Sequence, residues 1–310
     1  MAEAVGVVGG GIMGSGIAEV AARSGCDVMV REVSAAACEA TQQRIERSLD
    51  KAVRTGKLAE ADRDATVARL SYVTDLGEFG GRDIVIEAVI EDEKLKADIF
   101  RTLGEVTAKT ALLASNTSSI PIMKLAAVTE QPERVIGMHF FNPVPVLPLV
   151  ELVPSLATTP ETLEQARAFA GDRLGKHTVI GKDRAGFVVN ALLIPYLLAA
   201  IRMVETGFAT VDDVDVAMVS GCAHPMGPLA LTDLIGLDTT AAVANSMYAE
   251  FKEPLYAPPP LLLRMVEGGR LGRKSGQGFY DYRTPVAAAL PTDEALNLLE
   301  MGVTGNRVRQ

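Results

Sequence analysis

The amino-acid sequence predicts an α/β protein, in which a doubly wound, mostly parallel sheet is followed by an all-helical C-terminal domain. Three observations support this. Short apolar runs alternate with helical segments up to about residue 185, a glycine-rich turn follows the first run, and helical patterns alone continue from Gly186. Apolar runs separated by helices are typical of strands covered on both faces. We therefore predict two domains, residues 1–184 and residues 185–310.

The first strand, residues 5–8, leads into the glycine-rich turn and then into a helix. The glycines have the spacing G-x-G-x-x-G of the Rossmann fold. The first permits a tight turn, the second lets the backbone approach a pyrophosphate, and the third lets helix pack on strand. The helix N-terminus presents N–H groups and a positive dipole end to the phosphates. This pattern predicts a dinucleotide site that includes Gly9, Gly11, Ile12, Met13 and Gly14.

The second strand, residues 27–30, is followed by an acidic residue, Glu32, eighteen residues after Gly14. This is about the spacing at which a carboxylate accepts hydrogen bonds from the adenosine ribose. A carboxylate also repels a 2′-phosphate, so NAD is favoured over NADP. Two alternatives remain open: Arg31 could turn to such a phosphate, and Glu32 could be a solvated acid after a strand.

Farther along the chain, a histidine and a carboxylate flank a proline-rich loop. His139 ends the apolar run 134–138 and Glu151 lies inside the run 149–153, so the loop can fold the two side chains together. A carboxylate against one ring N–H fixes the imidazole tautomer and stabilises the imidazolium that forms when the other nitrogen takes a proton. The pair is therefore a candidate base with its orienting partner. The alternative is a strand-end histidine bonded to backbone beside a solvated glutamate.

Two further strands, residues 83–88 and 111–114, also run into polar segments. A doubly wound sheet binds its ligand beyond the carboxyl ends of its strands. The cluster 115–119 contains Ser118, which can donate to a substrate oxygen, although such clusters also cap helices. The other strand delivers charged side chains that are either nicotinamide-side contacts or an ordinary helix start: Glu87, Glu91, Lys94 and Lys96.

The remaining segments complete the predicted order of elements. A helical region covers residues 34–70 with a break at Gly56, and strands are predicted at 135–139, 149–153 and 178–180. The helical domain shows a helix over 187–204 and several end signals. These signals are a capping box at 210–213, prolines suited to helix starts at 228 and 258–260, and a stop at Gly268–Gly269.

Composition limits the partners and the compartment. A net charge of −9 and a pI near 5.0 disfavour nucleic acid or an anionic membrane as partners. Three widely spaced cysteines without a C-x-x-C pair indicate neither a disulfide framework nor a metal site. The first strand leaves no room for a signal peptide, and the longest apolar stretch, 191–201, is too short to span a bilayer. We expect a cytoplasmic enzyme.

Seven motifs together resemble one known family, the L-3-hydroxyacyl-CoA dehydrogenases, and within it the short-chain 3-hydroxybutyryl-CoA dehydrogenases of bacteria. They occur in the family's order between residues 5 and 282, at 9–16, 115–119, 137–145, 150–153, 183–190, 225–238 and 272–280. The resemblance implies an NAD cofactor, an acyl-CoA substrate, reversible hydride transfer at C3 and a homodimer formed through the helical domain.

The resemblance also implies roles for individual residues. It makes His139 the catalytic base with Glu151 as its partner, and it places substrate oxygens at Ser118 and Asn190. The positions that match cofactor contacts are Ser118, Asn142, Lys274, Glu91 and Lys96.

Ser48 matches a CoA-contact position, but the family's accompanying lysine is not assigned unambiguously. Lys51, Arg54 and Lys57 are candidates, and the first two share a helix face with Ser48 by their spacing. The alternative is a solvated basic face beside the core stripe of the same helix.

Two other functions compete with this hypothesis. An L-gulonate dehydrogenase or lens-crystallin relative would share the dinucleotide site and a histidine, but the motif 140–145 fits the acyl-CoA enzymes better. A nucleotide-binding protein that has lost catalysis has no need for His139, Glu151, Ser118 and Asn190 together.

Residues 283–310 run past the usual end of the short-chain members, and we expect a flexible tail in which a helix could begin at Pro291.

Overall fold

The computed structural model describes residues 3–283. The chain divides between Val188 and Val189 into two compact units. The predicted tail lies outside the described residues, apart from Arg283.

The first unit is built of alternating strands and helices. In chain order they are β1 (Ala4–Val8), α1 (Ile12–Arg23), β2 (Asp27–Arg31), α2 (Ala35–Arg54), α3 (Glu60–Val67), β3 (Leu70–Val73), β4 (Ile84–Glu87), α4 (Glu93–Val106), β5 (Leu112–Ser115), α5 (Ile122–Ala126), β6 (Val135–Phe140), β7 (Leu149–Pro154), α6 (Pro160–Ala168) and β8 (His177–Ile180).

The strands form a single eight-stranded sheet in the order β3-β2-β1-β4-β5-β6-β7-β8. Within the described residues, every neighbouring pair is parallel except β6 and β7, which run antiparallel. The predicted doubly wound, mostly parallel sheet is confirmed. The segments after β1, β2, β4, β5 and β6 all lie at the carboxyl edge of the sheet, where such folds bind their ligands.

The sheet is covered on both faces. Val7 and Ile86 pack in one hydrophobic cluster, whereas Val8 and Val85 pack in another, because successive side chains of a strand point to opposite faces. Such double burial explains why the strands read as continuous apolar runs in the sequence.

One strand was not predicted. β3 pairs in parallel with β2 at the edge of the sheet, although residues up to Leu70 were expected to be helical. The helical region instead ends with α3 at Val67. Ser71 is exposed and its strand neighbours are half-buried, so this short segment lacks the buried apolar run that identified the other strands.

The second unit is helical: α7 (Val189–Glu205), α8 (Val211–Cys222), α9 (Pro228–Ile235), α10 (Leu237–Phe251) and α11 (Pro260–Glu267). The predicted end signals are confirmed, since the Thr210 hydroxyl caps α8 by accepting from the Asp213 N–H, and Gly268 is the C-cap of α11. α7 starts two residues later than predicted because Phe187 has a left-handed φ of 46°. Across residues 3–283, every helix is too short or too polar to cross a membrane.

Candidate active site

The glycine turn between β1 and α1 has the geometry that its spacing predicts. Gly9 has a φ of +93°, a conformation that L side chains rarely adopt. A Cβ on Gly14 would overlap the carbonyl oxygen of Gly9, so the helix lies directly against the turn. A Cβ on Gly11 would meet nothing within 4 Å, which leaves open space over the backbone at the start of α1. These features fit a pyrophosphate at the helix N-terminus.

The Gly10 peptide group is fixed from both sides. Its N–H donates to Glu32 Oε1 at 2.7 Å, while its carbonyl oxygen accepts from Thr41 Oγ1 at 3.1 Å and Arg44 Nη1 at 2.5 Å. Sequence reasoning missed Thr41 and Arg44, because their partner is a backbone carbonyl 31 and 34 residues away and no spacing signals such a bond. The turn is therefore held in place by α2 and by the residue after β2.

Glu32 lies beside the turn, at the carboxyl end of β2. Its second carboxylate oxygen accepts from the Val33 N–H at 3.1 Å, and its side chain is half exposed. Arg31 points elsewhere and donates from Nε to the Thr74 carbonyl at 3.1 Å. Three exposed apolar side chains occupy the same edge, each in the segment after a strand: Ile12, Val33 and Ile90. This combination offers a carboxylate for ribose hydroxyls and apolar surface for a base.

A buried ion pair lies at the ends of β4 and β5. Lys96 Nζ is 2.7 Å from Glu87 Oε1, and both side chains are almost fully buried. The same Glu87 oxygen accepts from the Val89 N–H at 2.7 Å, and Oε2 accepts from Ser115 Oγ at 2.7 Å. Lys96 was predicted to contact the cofactor; the structure places its ammonium within this network, beneath the edge of the sheet.

The network continues to the turn that carries Ser118. Glu91 Oε2 lies 3.4 Å from Lys96 Nζ, and Glu91 Oε1 accepts from Thr117 Oγ1 at 2.5 Å and from the Ser118 N–H at 3.0 Å. Burial acts to raise the pKa of Glu91, but the Lys96 charge and the hydrogen bonds from the 117–119 turn lower it overall. Glu91 is therefore a carboxylate that fixes the backbone of this turn.

Sequence reasoning gave no role to Asn116, a member of the 115–119 cluster. Asn116 Oδ1 accepts from the Phe140 N–H at 2.8 Å, which ties this turn to the end of β6. The sequence signal that could have identified Asn116 is its position in a polar cluster at the end of a strand. The hydroxyl of Ser118 is 3.5 Å from Glu91 Oε1, a long distance for a hydrogen bond, so it can donate to another acceptor.

His139 and Glu151 meet on adjacent strands. They are register partners in the antiparallel pair of β6 and β7, and His139 Nδ1 is 2.7 Å from Glu151 Oε2. Glu151 is fully buried and its other oxygen, Oε1, accepts from the Val188 N–H at 3.0 Å. The prediction that the loop brings the two side chains together is confirmed by this geometry.

Two aromatic rings border the imidazole. The ring of Phe141 lies 4.6 Å from that of His139, centroid to centroid, and the ring of Phe187 lies 5.6 Å away. The histidine itself is only 7% exposed. Apolar walls of this kind keep water away from the ring and strengthen its interaction with the carboxylate.

Three of the candidate CoA residues lie on one face of α2, whereas Lys57 follows the helix. Ser48 is half-buried, while Lys51 and Arg54 are exposed near the helix C-terminus. Within residues 3–283, neither cation has an ion-pair partner, whereas nearby Arg63 is paired with Asp50 and Asp64 at 3.0 Å each. The face therefore presents two uncompensated positive charges on an acidic protein.

The second unit contains two of the predicted site residues. Asn190 lies in the first turn of α7. Lys274 lies in a 3₁₀ turn, Arg273–Ser275, and its Nζ is 2.6 Å from the carboxylate of Asp238 at the start of α10. Asp238 was not singled out from the sequence; it orients Lys274 within this unit.

The doubly wound sheet, the glycine turn that opens α1 and the histidine–glutamate pair define the class of protein, a dinucleotide-dependent dehydrogenase. Residues 4–184 match the model of the 3-hydroxyacyl-CoA dehydrogenase NAD binding domain, and residues 186–282 match that of the 3-hydroxyacyl-CoA dehydrogenase C-terminal domain. The chain belongs to the 3-hydroxyacyl-CoA dehydrogenase family.

Individual relatives support this assignment. The chain is 60% identical over 281 residues to a 3-hydroxybutyryl-CoA dehydrogenase of Mycobacterium tuberculosis, covering 90% of this chain and 98% of the relative. It is 39% identical over 285 residues to human mitochondrial hydroxyacyl-coenzyme A dehydrogenase, covering 89% and 90% of the two chains. The crystal structure of M. tuberculosis FadB2 superposes with a TM-score of 0.90 at 59% identity, over 91% of this chain and 99% of the other. The predicted family and its NAD-dependent dehydrogenase activity are confirmed.

Proposed function

We propose that this protein catalyses reversible, NAD(H)-dependent hydride transfer at C3 of short-chain (S)-3-hydroxyacyl-CoA substrates, with 3-hydroxybutyryl-CoA and acetoacetyl-CoA as the reacting pair. The observation that carries the proposal is the 2.7 Å contact between His139 Nδ1 and a buried Glu151 at the carboxyl edge of a dinucleotide-binding sheet. The 60% identity to a 3-hydroxybutyryl-CoA dehydrogenase supports the short acyl chain.

The residues at the glycine turn fit NAD. The open space over Gly11 and the N-terminus of α1 would hold the pyrophosphate, and Glu32 would accept from the adenosine ribose. When bound, the nicotinamide supplies the hydride acceptor or donor.

The dyad would move the proton that accompanies the hydride. Because Glu151 Oε2 takes the Nδ1 side of His139, the Nε2 atom is left to face the substrate. In the oxidative direction Nε2 removes the proton of the 3-hydroxyl group, and in reduction the imidazolium returns it to the carbonyl oxygen. Glu151 stabilises the imidazolium, and the Val188 N–H that binds its other oxygen holds the carboxylate in place.

Ser118 and Asn190 would align the acyl group. The Ser118 backbone is fixed by Glu91 while its hydroxyl has only a long contact to the same carboxylate, so the hydroxyl can donate to a substrate oxygen. Holding the reacting groups in the right orientation lowers the activation free energy by on the order of several kcal/mol.

The decisive experiment is a steady-state comparison of acetoacetyl-CoA with longer 3-ketoacyl-CoAs, using NADH. We expect the highest kcat/KM for acetoacetyl-CoA. A lack of NADH oxidation with every 3-ketoacyl-CoA would contradict the proposal, and a preference for long chains would restrict it to the family activity.

Cofactor choice depends on Glu32 in this proposal. The kcat/KM should be higher with NADH than with NADPH. Glu32→Ala should reduce this difference, because it removes the charge that repels a 2′-phosphate. If the wild-type protein prefers NADPH, Glu32 has been misinterpreted, and Arg31 becomes the residue to substitute.

The exposed face with Lys51 and Arg54 would bind the phosphates of CoA, and Ser48 would lie on the same side of α2. Charge reversal at Arg54 should raise the KM for acyl-CoA much more than it changes kcat, since this contact is made equally in the ground and transition states. An unchanged KM after reversal of both cations would make them an ordinary solvated face. Lys109→Glu, at an exposed position outside this face, is the matched control.

We also propose a homodimer formed through the second unit, working in the cytoplasm. Large apolar side chains are exposed on its helices, namely Leu192, Val216 and Leu234. Exposed apolar side chains that adjoin one another form the patches typical of subunit interfaces. Sedimentation equilibrium would test the dimer, and fractionation of the producing cells would test the compartment.

A further inference from the structure

The connection between β6 and β7, residues 141–148, joins the two halves of the dyad and carries Asn142. It contains three prolines, which lack an N–H group and cannot donate to a backbone ladder. Its internal bonds run from the Val146 and Leu147 N–H groups to the Pro143 carbonyl, at 3.0 and 2.9 Å. Its other carbonyl groups can accept from donors outside the connection.

Lys176 binds two of these carbonyl groups. Its Nζ donates to the Val144 carbonyl at 2.6 Å and to the Leu147 carbonyl at 2.8 Å, and the side chain is half-buried. Burial, together with the positive charge of Arg23, lowers the pKa of Lys176. Directly after it, the His177 N–H donates to the Pro148 carbonyl at 2.7 Å. Bonds from a charged donor are among the stronger hydrogen bonds in proteins.

The connection also packs against α1, the helix that follows the glycine turn. Val144 is 2% exposed, and a Cβ added to Gly16 of α1 would lie only 2.9 Å from Val144 Cβ. Both α1 and Lys176 therefore contact the connection. Asn142, two residues before Val144, is exposed at the carboxyl end of β6.

We propose that Lys176 is a positioning residue for the cofactor site: by binding two carbonyl groups of the 141–148 connection, it sets where Asn142 meets the bound dinucleotide. This inference rests on the proposed function and on the cofactor contact that the family resemblance implies for Asn142. The dyad does not need Lys176, because the backbone ladder between β6 and β7 places His139 opposite Glu151. Loss of Lys176 should therefore weaken cofactor binding more than proton transfer.

The test compares Lys176→Met with Lys109→Met, which removes an exposed lysine far along the chain from the connection. Lys176→Met should raise the KM for NADH about tenfold, the size expected for losing hydrogen bonds from one charged group. The kcat at saturating NADH and the KM for acetoacetyl-CoA should change less than about threefold. Lys176→Arg, which keeps the charge and several donors, should recover part of the NADH affinity.

A double-mutant cycle with Asn142→Ala tests whether the effect passes through the connection. Both single variants should raise the KM for NADH, and the double variant should be little worse than either, because the two residues act on one contact. If Lys176→Met keeps the wild-type KM while Asn142→Ala raises it, or if the effects simply add, the inference is wrong and the proposed function stands. If wild-type protein shows no turnover with any 3-ketoacyl-CoA and NADH, the proposed function fails first.

A purely structural role would give a different pattern. The midpoint temperature of thermal unfolding would then be lower for Lys176→Met than for wild type, while the KM for NADH at 25 °C would be unchanged. That result would overturn the inference. If Lys176→Met does not fold, Lys176→Gln keeps one donor group and tests the same prediction by NADH titration followed by fluorescence.

Discussion

The two units of this protein bury carboxylates beside different kinds of partner group. In the first unit, Glu87 and Glu151 are fully buried, and each lies 2.7 Å from a basic side chain, Lys96 or His139. In the second unit, Asp215 and Asp233 are nearly as buried. Within the described residues, the hydrogen-bond donors to these two aspartates are backbone N–H groups and tyrosine hydroxyls.

The carboxylates of the second unit join chain segments. Asp215 accepts from the Leu229 and Ala230 N–H groups at 2.8 and 2.9 Å and so caps α9 from another helix. Asp233 accepts from the Phe279 N–H at 2.9 Å and from the Tyr282 hydroxyl at 3.0 Å. Burial and the neighbouring Asp233 raise the pKa of Tyr282 to about 12, so this donor stays neutral.

The comparison separates architecture from chemistry. A carboxylate held by fixed neutral donors can only hold those donors together. A carboxylate beside a basic group also responds to the charge on that group, and it can stabilise a proton or orient a cation. Both pairs of the first unit lie next to segments at the carboxyl edge of the sheet, where doubly wound sheets bind their ligands.

The largest expected effect concerns the dyad. His139→Gln should lower kcat about 10²–10⁴-fold, the usual contribution of a general base, with NADH binding intact. Glu151→Gln should also be severe, because it removes the counter-charge of the imidazolium and can favour the wrong tautomer. Steady-state assays and NADH titration measure the two quantities.

Combining the two dyad substitutions sharpens this prediction. The double variant should be little worse than His139→Gln alone, since coupled catalytic groups act as a unit. Near-wild-type turnover in a folded His139→Gln protein would reduce the histidine to a structural role.

The next effect is on stability. Glu87→Gln leaves the Lys96 charge buried without its main partner and should cost about 3–5 kcal/mol of the free energy of unfolding. Glu87→Gln combined with Lys96→Met removes both charges and should recover much of this loss. Urea unfolding measures both variants. Equal stabilities for the single and double variants would show that water or another group compensates Lys96.

A smaller loss is expected in the second unit. Asp233→Asn replaces one acceptor oxygen by an amide donor that faces an N–H or a hydroxyl, and it should cost about 1–3 kcal/mol with kcat unchanged. Asp281→Asn, at an exposed position near the same segment, is the matched control and should remain close to wild-type stability. A large fall in kcat for Asp233→Asn would contradict the division between architecture and chemistry.

Features encoded by local spacing were predicted from the sequence. The buried strands show as apolar runs, the glycine turn has a fixed spacing, and the dyad follows from two strands that a proline-rich loop folds into an antiparallel pair. These signals lie within short stretches of the chain, so they survive without knowledge of the tertiary structure.

Features that depend on distant partners were not predicted. Arg44 donates to a backbone carbonyl 34 residues away, and Lys176 donates to backbone carbonyls 32 and 29 residues away. Backbone groups are the same at every residue, so no sequence pattern marks such acceptors. Lys96 looked like a solvated or cofactor-binding residue, because its acid partners become neighbours only when β4 and α4 pack together.

The smallest effect tests a third kind of buried carboxylate. Glu19 of α1 is 2% exposed and lies 3.6 Å from the partly exposed Arg23. Burial raises the pKa of Glu19, and hydrogen bonds with Ser48 and Arg23 only partly offset this. A raised folded-state pKa means that the folded protein takes up the proton first as the pH falls. Charged Glu19 therefore weakens the fold above this pKa.

Glu19→Gln should accordingly be more stable than wild type at about pH 8, by roughly 1 kcal/mol or less, because it buries a neutral amide in place of a charge. The difference should shrink as the pH falls through the raised pKa towards about 4.5, where wild-type Glu19 becomes neutral as well. Urea unfolding over this pH range measures it, with exposed Glu39→Gln as control. A variant less stable than wild type at about pH 8 would show that the bonds to Ser48 and Arg23 outweigh burial, and Glu19 would then join Glu87 as a carboxylate that its partners stabilise.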